Sequence, residues 1–217
     1  EDSENKYFDV FGLHSYHTGS APEKGDRWAM GYDFCEAQDD VTKLLEEYDI
    51  ISYSEENGVE KNLEKWTTEI GFSPIMAKER EYSAWHLRLL ALNFMGDEYG
   101  PYHNKYFIYS IFNHGFDESD SEDYYGIMDY WQDKNPYTKS AYSAKEPYLV
   151  VAQWNKMMNG AKFTSADIKR VSDSHKYDEN GDEILAEGNY VLNFDCDGDR
   201  VALVWDVVEE KEVTLID

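Results

Sequence analysis

Three apolar segments of this chain have the length and composition of buried β-strands. They cover residues 7–14, residues 64–69 and residues 105–112. Each segment runs into a polar or glycine-containing stretch, as a strand does where its loop begins. The pattern therefore predicts three strands that each end in a polar loop.

Helical periodicity fills the intervals between and after these strands. We predict helices over residues 36–49, 79–98 and 141–159, because apolar side chains recur there every three or four positions. The expected inward-facing residues are Val41, Leu44, Leu45 and Tyr48 in the first helix, Tyr82, Trp85, Leu89, Leu90, Leu92, Phe94 and Met95 in the second, and Tyr148, Val151, Ala152 and Met158 in the third. Strands that alternate with helices in this order form parallel βα units, so we expect an α/β fold.

The pattern changes to short alternating segments in the last quarter of the chain. Turn sequences at Asn180-Gly181 and Asp197-Gly198 separate these segments, which cover residues 162–171, 184–194, 200–207 and 211–216. Short alternating strands joined by such turns indicate antiparallel hairpins. We therefore expect an α/β part over residues 1–159 and a small antiparallel β-domain over residues 160–217.

Acidic residues dominate the charge of the chain. It has 45 Asp and Glu residues against 20 Lys and Arg residues, which gives a formal net charge of −25. Nucleic acids and anionic membranes both require a basic surface, so we expect neither as a partner. A solvated, self-repelling surface is the simplest interpretation of this charge. The 41% share of hydrophobic residues is enough for a packed core, and no apolar run is long enough to span a membrane.

Features that often indicate disulfides, metals or targeting have simpler explanations here. Cys35 and Cys196 could form a bridge, but two unrelated free thiols are the simpler expectation. His14 and His17 would face opposite sides of a strand, and no third ligand follows at a recognisable spacing, so we expect no metal and no cofactor. The acidic segments 178–183 and 195–199 lack the EF-hand pattern and read as hairpin turns. Residues 1–6 do not resemble a signal peptide.

Glu69 is the candidate for chemistry. It lies at the end of the second predicted strand, just before Gly71, and a buried carboxylate is costly unless it is paired or functional. His14 and Tyr16 are two residues apart at the end of the first strand, so both side chains point to one face. A tyrosine hydroxyl at that place could hold Glu69 in position and favour its ionised form. An exposed or salt-bridged structural glutamate is the alternative.

Aromatic and polar residues in the strand-end loops are candidate sugar contacts, since sugar rings stack their C–H faces on aromatic side chains. His114 follows the third strand at the end where substrate would lie, although a surface loop histidine would look the same. The other candidates are His17, Trp28, Tyr32, Phe112, Asn113, Tyr124, Tyr125 and Trp131. Core packing or loop anchoring is the competing role for each aromatic side chain among them.

These segments resemble the C-terminal part of a clan A glycoside hydrolase, a (β/α)8 barrel, as in families 5 and 39. Residues 8–16, which contain His14-Ser15-Tyr16, are similar to the sixth barrel strand of that clan, and Trp66-Thr67-Thr68-Glu69-Ile70-Gly71 to the seventh. Residues 106–112 are similar to the eighth, and Lys139-Ser140-Ala141-Tyr142 resembles the segment that opens the last helix. The β-rich tail is similar to the accessory β-domain that follows some of these barrels.

The resemblance implies a retaining enzyme for β-linked saccharides in which Glu69 is the nucleophile. His14, Tyr16 and His17 would support it, and Trp28 and the residues after the third strand would contact sugar. The clan's acid/base glutamate follows an asparagine, and no Asn-Glu dipeptide occurs in this sequence. The clan often places a sugar-binding tryptophan at the end of the eighth strand, where Phe112 and Asn113 stand here. An extracellular or cell-surface location is the expectation for such an enzyme.

Three strands cannot close a barrel with a packed interior. We therefore expect the chain to be a fragment, or one chain of a split enzyme whose partner supplies five further strands and the acid/base. A smaller self-sufficient α/β fold is the structural alternative. The functional alternatives are a non-catalytic carbohydrate-binding or scaffolding module, and an acidic interaction protein that depends on a cation.

Overall fold

The computed structural model describes most of the chain and shows a mixed α/β protein. The described residues are 8–14, 16, 21–23, 33–75, 79–97, 100–115, 117, 119–131, 141–169, 175–177, 183–185 and 188–207. Three helices lie within them: α1 (Phe34–Glu47), α2 (Glu79–Phe94) and α3 (Glu146–Met157). The strands are β1 (Val10–Leu13), β2 (Ser52–Ser54), β3 (Gly58–Lys61), β4 (Glu64–Ile70), β5 (Gly96–Asp97), β6 (Gly100–Pro101), β7 (Lys105–Ile108), β8 (Met128–Trp131), β9 (Ala141–Ala144), β10 (Lys162–Lys169), β11 (His175–Tyr177), β12 (Glu183–Leu185), β13 (Asn189–Cys196) and β14 (Asp199–Asp206).

The three predicted apolar strands form one parallel sheet in the order β1-β4-β7. β4 lies in the middle and pairs with both neighbours in the same direction. All three strands are confirmed, but the first and third are shorter than predicted. Phe8 precedes β1 and is exposed, and Ile111 and Phe112 follow β7 and are exposed as well. The apolar runs therefore extend beyond the paired backbone at the outer strands of this sheet.

Helix α1 begins at a side-chain cap. The carboxylate of Asp33 accepts a hydrogen bond of 2.8 Å from the backbone N–H of Glu36, which satisfies one of the free donors of the first turn. The helix packs on β1 through a small cluster in which Leu45 is buried and Val41 and Phe11 are partly buried. The predicted inward positions Leu44 and Tyr48 were wrong, since both are exposed. The buried face instead includes Phe34, Cys35 and Gln38.

Helix α2 is the centre of the main core. Four of its predicted inward residues, namely Tyr82, Leu89, Leu90 and Leu92, are buried, as is Met95 just beyond its last turn. Trp85 and Phe94 are partly buried against the same cluster. The helix ends at Phe94 rather than at residue 98, because the chain turns there into the short pair of β5 and β6.

Helix α3 starts later than the periodicity predicts. Residues 141–144 form β9, which pairs antiparallel with β8, and the helix begins at Glu146 with Pro147 in its first turn. Ala141 and Tyr142, which were predicted to open this helix, therefore belong to β9, and residues 139–140 lie outside the described part. Val151 and Met158 pack against the core as predicted, but the inward positions Tyr148 and Ala152 were wrong, because both are exposed. Trp154 is the large side chain that this helix buries.

An antiparallel sheet of β10, β13 and β14 follows the last helix, as predicted, and β11 pairs antiparallel with β12. The predicted strand 184–194 is two elements, β12 and β13, and residues 211–216 lie outside the described part. Asp197 and Gly198 form the turn between β13 and β14, where the Asp195 carboxylate accepts from the N–H of Gly198 at 2.9 Å.

The antiparallel sheet shares its core with the helices. Tyr190, Leu192 and Phe194 of β13 are fully buried in the same cluster as Leu89 of α2 and Trp154 of α3. The division at residue 160 stays a prediction, although apolar packing is continuous across it. Cys35 and Cys196 are free thiols, as predicted. No helix in the described part is long and apolar enough to cross a membrane.

Candidate active site

The central strand β4 carries Glu69, and a bulge decides which way that side chain points. Thr67 pairs with Tyr106 and Ile70 with Ile108, so β4 takes three steps where β7 takes two. In a regular strand Glu69 would share the buried face of Lys65 and Thr67. The extra residue returns Ile70 to that buried face and leaves the Glu69 side chain 37% exposed. Bulges commonly re-aim a side chain in this way beside functional sites.

Gly71 allows the ends of β4 and β7 to approach closely. The N–H of Tyr109 donates a 2.8 Å hydrogen bond to the carbonyl of Ile70. A Cβ atom at position 71 would lie only 1.8 Å from the carbonyl oxygen of Tyr109. The glycine therefore keeps Tyr109 next to the strand end that bears Glu69.

Two predicted neighbours converge on the Glu69 carboxylate. The hydroxyl of Tyr16 donates a hydrogen bond of 2.7 Å to Oε1 of Glu69. Nδ1 of His14 lies 3.9 Å from Oε2, close enough for an ion pair when the imidazole is protonated. Both side chains come from the segment directly after β1, which is parallel to β4, so the two strand ends lie side by side. Among the described residues, Oε1 of Glu69 has a firm hydrogen-bond donor, and Oε2 has only the more distant imidazole of His14.

The Tyr16 hydroxyl is held in its donor form. Burial, together with the hydrogen bond and the negative charge of Glu69, raises the pKa of Tyr16 far above its usual value. Its ring packs edge-on against Tyr109 and Tyr125, at centroid distances of 6.5 and 6.1 Å. The phenol is thus fixed on two sides by aromatic rings and at its tip by the carboxylate.

Tyr109 is the aromatic residue at the end of β7 beside this cluster. Its hydroxyl donates to Oε2 of Glu122 at 3.3 Å and lies 3.2 Å from Nδ1 of His114. Burial first, and then the nearby carboxylates of Glu122 and Glu69, raise its pKa. Sequence analysis did not single out Tyr109 or Glu122. Tyr109 lies inside the apolar segment 105–112 that was predicted as a strand, and Glu122 was not a candidate residue.

The residues predicted to stand in place of the sugar-binding tryptophan have other contacts. Phe112 packs its ring against Tyr142 at 4.9 Å. Asn113 donates to Asp129 at 3.0 Å and accepts from the buried Nζ of Lys145 at 2.7 Å. Tyr109 and Tyr125, rather than Phe112, are therefore the rings that pack against Tyr16. The sugar-contact roles of Phe112 and Asn113 stay predictions.

Other candidate residues lie outside what can be described. His17, Trp28 and Tyr32 fall outside the described residues, and for Trp131 only the backbone is described. Tyr125 is buried among the site's aromatic rings. Within the described ranges, no group of three or more His, Cys, Asp or Glu side chains is arranged to hold a metal ion.

Comparison with known proteins gives one structural relationship. No family model matches the chain, and no curated protein matches its sequence. Its fold is similar to that of a family 39 glycoside hydrolase from the gut symbiont Bacteroides cellulosilyticus WH2, with a TM-score of 0.58 and 19% sequence identity. The match covers 91% of this chain but 34% of that one, so the chain spans about a third of the length of that protein. The chain therefore has a fold like that of part of a glycoside hydrolase.

Proposed function

We propose that this chain is the C-terminal catalytic portion of a retaining glycoside hydrolase for a β-linked saccharide, with Glu69 as its nucleophile. One observation carries the proposal: an open carboxylate at the C-terminal end of a central parallel strand accepts a hydrogen bond from a tyrosine that burial keeps protonated. In barrels of parallel strands, that end holds the catalytic groups. The fold likeness to part of a glycoside hydrolase supports the same conclusion.

We assign the two oxygens of Glu69 different tasks. Oε1 is occupied by the Tyr16 hydroxyl, so Oε2 is the oxygen that attacks the anomeric carbon. A carboxylic acid about 5 Å away protonates the leaving oxygen as the glycosidic bond breaks, and water then releases the sugar from the covalent intermediate. We assign that acid to strands outside this chain, either in a longer polypeptide or in a partner chain. An extracellular or cell-surface location fits a saccharide substrate.

The test is a pair of isosteric variants in the protein that contains the missing strands. Glu69→Gln removes the nucleophile and should reduce turnover of an aryl β-glycoside by roughly 10⁴-fold or more without changing the circular dichroism spectrum, since loss of a catalytic group costs several orders of magnitude. Glu60→Gln, on the exposed strand β3, is the matched control and should retain full activity. Retention of activity by Glu69→Gln would refute the nucleophile assignment.

The isolated 217-residue chain tests the second part of the proposal, namely that the acid/base lies outside this chain. It should not turn over the same glycoside, because the acid/base is supplied from outside it. Turnover by the isolated chain, abolished by Glu69→Gln, would refute the split of the catalytic pair and leave the nucleophile assignment in place.

A further inference from the structure

The hydroxyl group of Tyr109 is shared between two polar side chains. It lies 3.3 Å from Oε2 of Glu122 and 3.2 Å from Nδ1 of His114. The imidazole ring stands edge-on to the phenol ring, with centroids 5.2 Å apart and planes at 87°. All three groups belong to the segment that follows β7, and Tyr109 also packs against Tyr16, the hydrogen-bond donor to Glu69.

The number of protons fixes the direction of these two hydrogen bonds. A phenol has one proton, and an ionised carboxylate can only accept. The Tyr109 proton therefore points to Glu122, and the lone pairs of the same oxygen face Nδ1 of His114. For that contact to be a hydrogen bond, His114 must carry its proton on Nδ1. The opposite arrangement would aim the phenol lone pairs at the carboxylate.

We infer that Glu122, acting through Tyr109, is a positioning residue that fixes His114 as the Nδ1–H tautomer and so presents Nε2 as a hydrogen-bond acceptor for a substrate hydroxyl. The proton position of a histidine is set by the partner of its other nitrogen. His114 is exposed, and Nε2 has no partner among the described residues. Free imidazole side chains in water favour the opposite tautomer, so the effect can be detected.

The chemical consequence is selection of one sugar hydroxyl, and this part rests on the proposed function. An acceptor nitrogen binds a hydroxyl that donates, and it cannot bind a methoxy or deoxy group at the same place. Sites built to hydrogen-bond a hydroxyl discriminate strongly against analogues that lack it, because the polar group is then left unpaired. His114 would thereby contribute to the choice of sugar, while Glu69 performs the chemistry.

The experiment is long-range ¹H–¹⁵N NMR of the histidine rings in the 217-residue chain at about pH 8, where neutral imidazoles show which nitrogen bears the proton. The chain has six histidines, and His114→Asn identifies the signals of His114. We expect the Nδ1–H pattern in the unmodified chain and a shift toward Nε2–H in both Tyr109→Phe and Glu122→Ala. Glu60→Ala, an exposed acid on β3, is the matched control and should leave the pattern unchanged.

Titration of the protein that contains the missing strands with methyl β-glycosides and their monodeoxy analogues tests the acceptor role. One glycoside should shift the ¹⁵Nε2 signal of His114, and the analogue that lacks the donating hydroxyl should not. An Nε2–H pattern in the unmodified chain, or no change in Glu122→Ala, would overturn the relay through Tyr109. A correct tautomer without a response to any glycoside would overturn the role as sugar acceptor. Neither result depends on Glu69, because the nucleophile assignment is tested separately by turnover of an aryl β-glycoside.

Discussion

A buried hydrogen bond between Thr67 and Asn93 anchors strand β4 to helix α2, and its removal should have a measurable cost in stability. Oγ1 of Thr67 lies 2.5 Å from Oδ1 of Asn93, and both residues are completely buried. Nδ2 of Asn93 is already used by the carbonyl of Leu89 at 2.7 Å, so the amide orientation is set by the helix. Thr67→Val keeps the shape of the side chain and removes the donor.

The expected loss of stability follows from the polar group that each substitution leaves without a partner. Asn93 Oδ1 would remain buried without its partner, which costs about 1–3 kcal/mol, whereas removal of both polar groups costs much less. We expect Thr67→Val and Asn93→Leu each to lower the free energy of unfolding by about 2 kcal/mol. The double variant should lose less than the sum of the two, with a coupling of about 1 kcal/mol or more.

Urea denaturation of the chain measures these changes as shifts in the midpoint at constant slope. A loss of about 2 kcal/mol corresponds to a decrease of roughly 4–8 °C in melting temperature for a chain of this size. Thr68→Val is the matched control, because the neighbouring threonine is exposed and its hydroxyl reaches the carbonyl of Leu13 only at 3.4 Å. It should change stability by less than about 0.5 kcal/mol. Equal effects of the two substitutions, or strict additivity of the double variant, would refute the reasoning.

Two further predictions concern protonation and backbone space. Burial lowers the pKa of His86 to about 4 and that of His103 to about 3. Below about pH 6.5 both histidines become protonated in the unfolded chain but stay neutral in the folded chain. The free energy of unfolding is therefore highest above that pH and falls toward pH 4 by on the order of 3 kcal/mol per histidine. The difference in unfolding free energy between the protein and His86→Gln should become smaller as the pH falls from 6.5 to 4. If the urea midpoints of the two proteins instead change in parallel with pH, the lowered pKa of His86 is contradicted. Gly71→Ala forces a Cβ atom against the carbonyl of Tyr109 and should lower the free energy of unfolding by about 1–3 kcal/mol, with a changed near-ultraviolet spectrum. Gly12→Ala is the control, because its Cβ atom would meet only the Thr68 side chain at 3.2 Å, and it should cost less. A larger loss in Gly12→Ala than in Gly71→Ala would argue against the close approach of β4 and Tyr109.

Much of the element order could be predicted because buried side chains recur along the sequence with the period of a strand or a helix. The apolar runs of β1, β4 and β7 and the stripe of α2 follow directly from which faces contact the core. The start of helix α3 was predicted too early, because β9 is too short for its alternating pattern to be distinguished from helical periodicity. Its buried residue, Trp154, packs against Phe94 and Phe194 of distant elements, and no local pattern reports such contacts.

The candidate site was predictable where chemistry coincides with a strand end. Glu69, Tyr16 and His14 could be grouped because the ends of parallel neighbouring strands meet at one edge. Tyr109 was missed, because a tyrosine inside an apolar run gives no sign that its hydroxyl rather than its ring is used. Glu122 was missed because its partner is fixed by the fold of the loop.

The bulge in β4 makes the direction of the Glu69 side chain depend on the number of residues in the strand as well as on their identity. A deletion of Thr68 would restore a regular ladder with β7 and leave every remaining side chain on its present face. Glu69 would then stand alone opposite Phe107, where Thr68 and Glu69 stand now, and the regular pleat rather than the bulge would set the direction of its carboxylate relative to the Tyr16 hydroxyl. An engineer who transplants this strand into a different sheet must therefore copy the number of residues between Thr67 and Ile70, since a glutamate in a correctly patterned but shorter strand would point in a different direction.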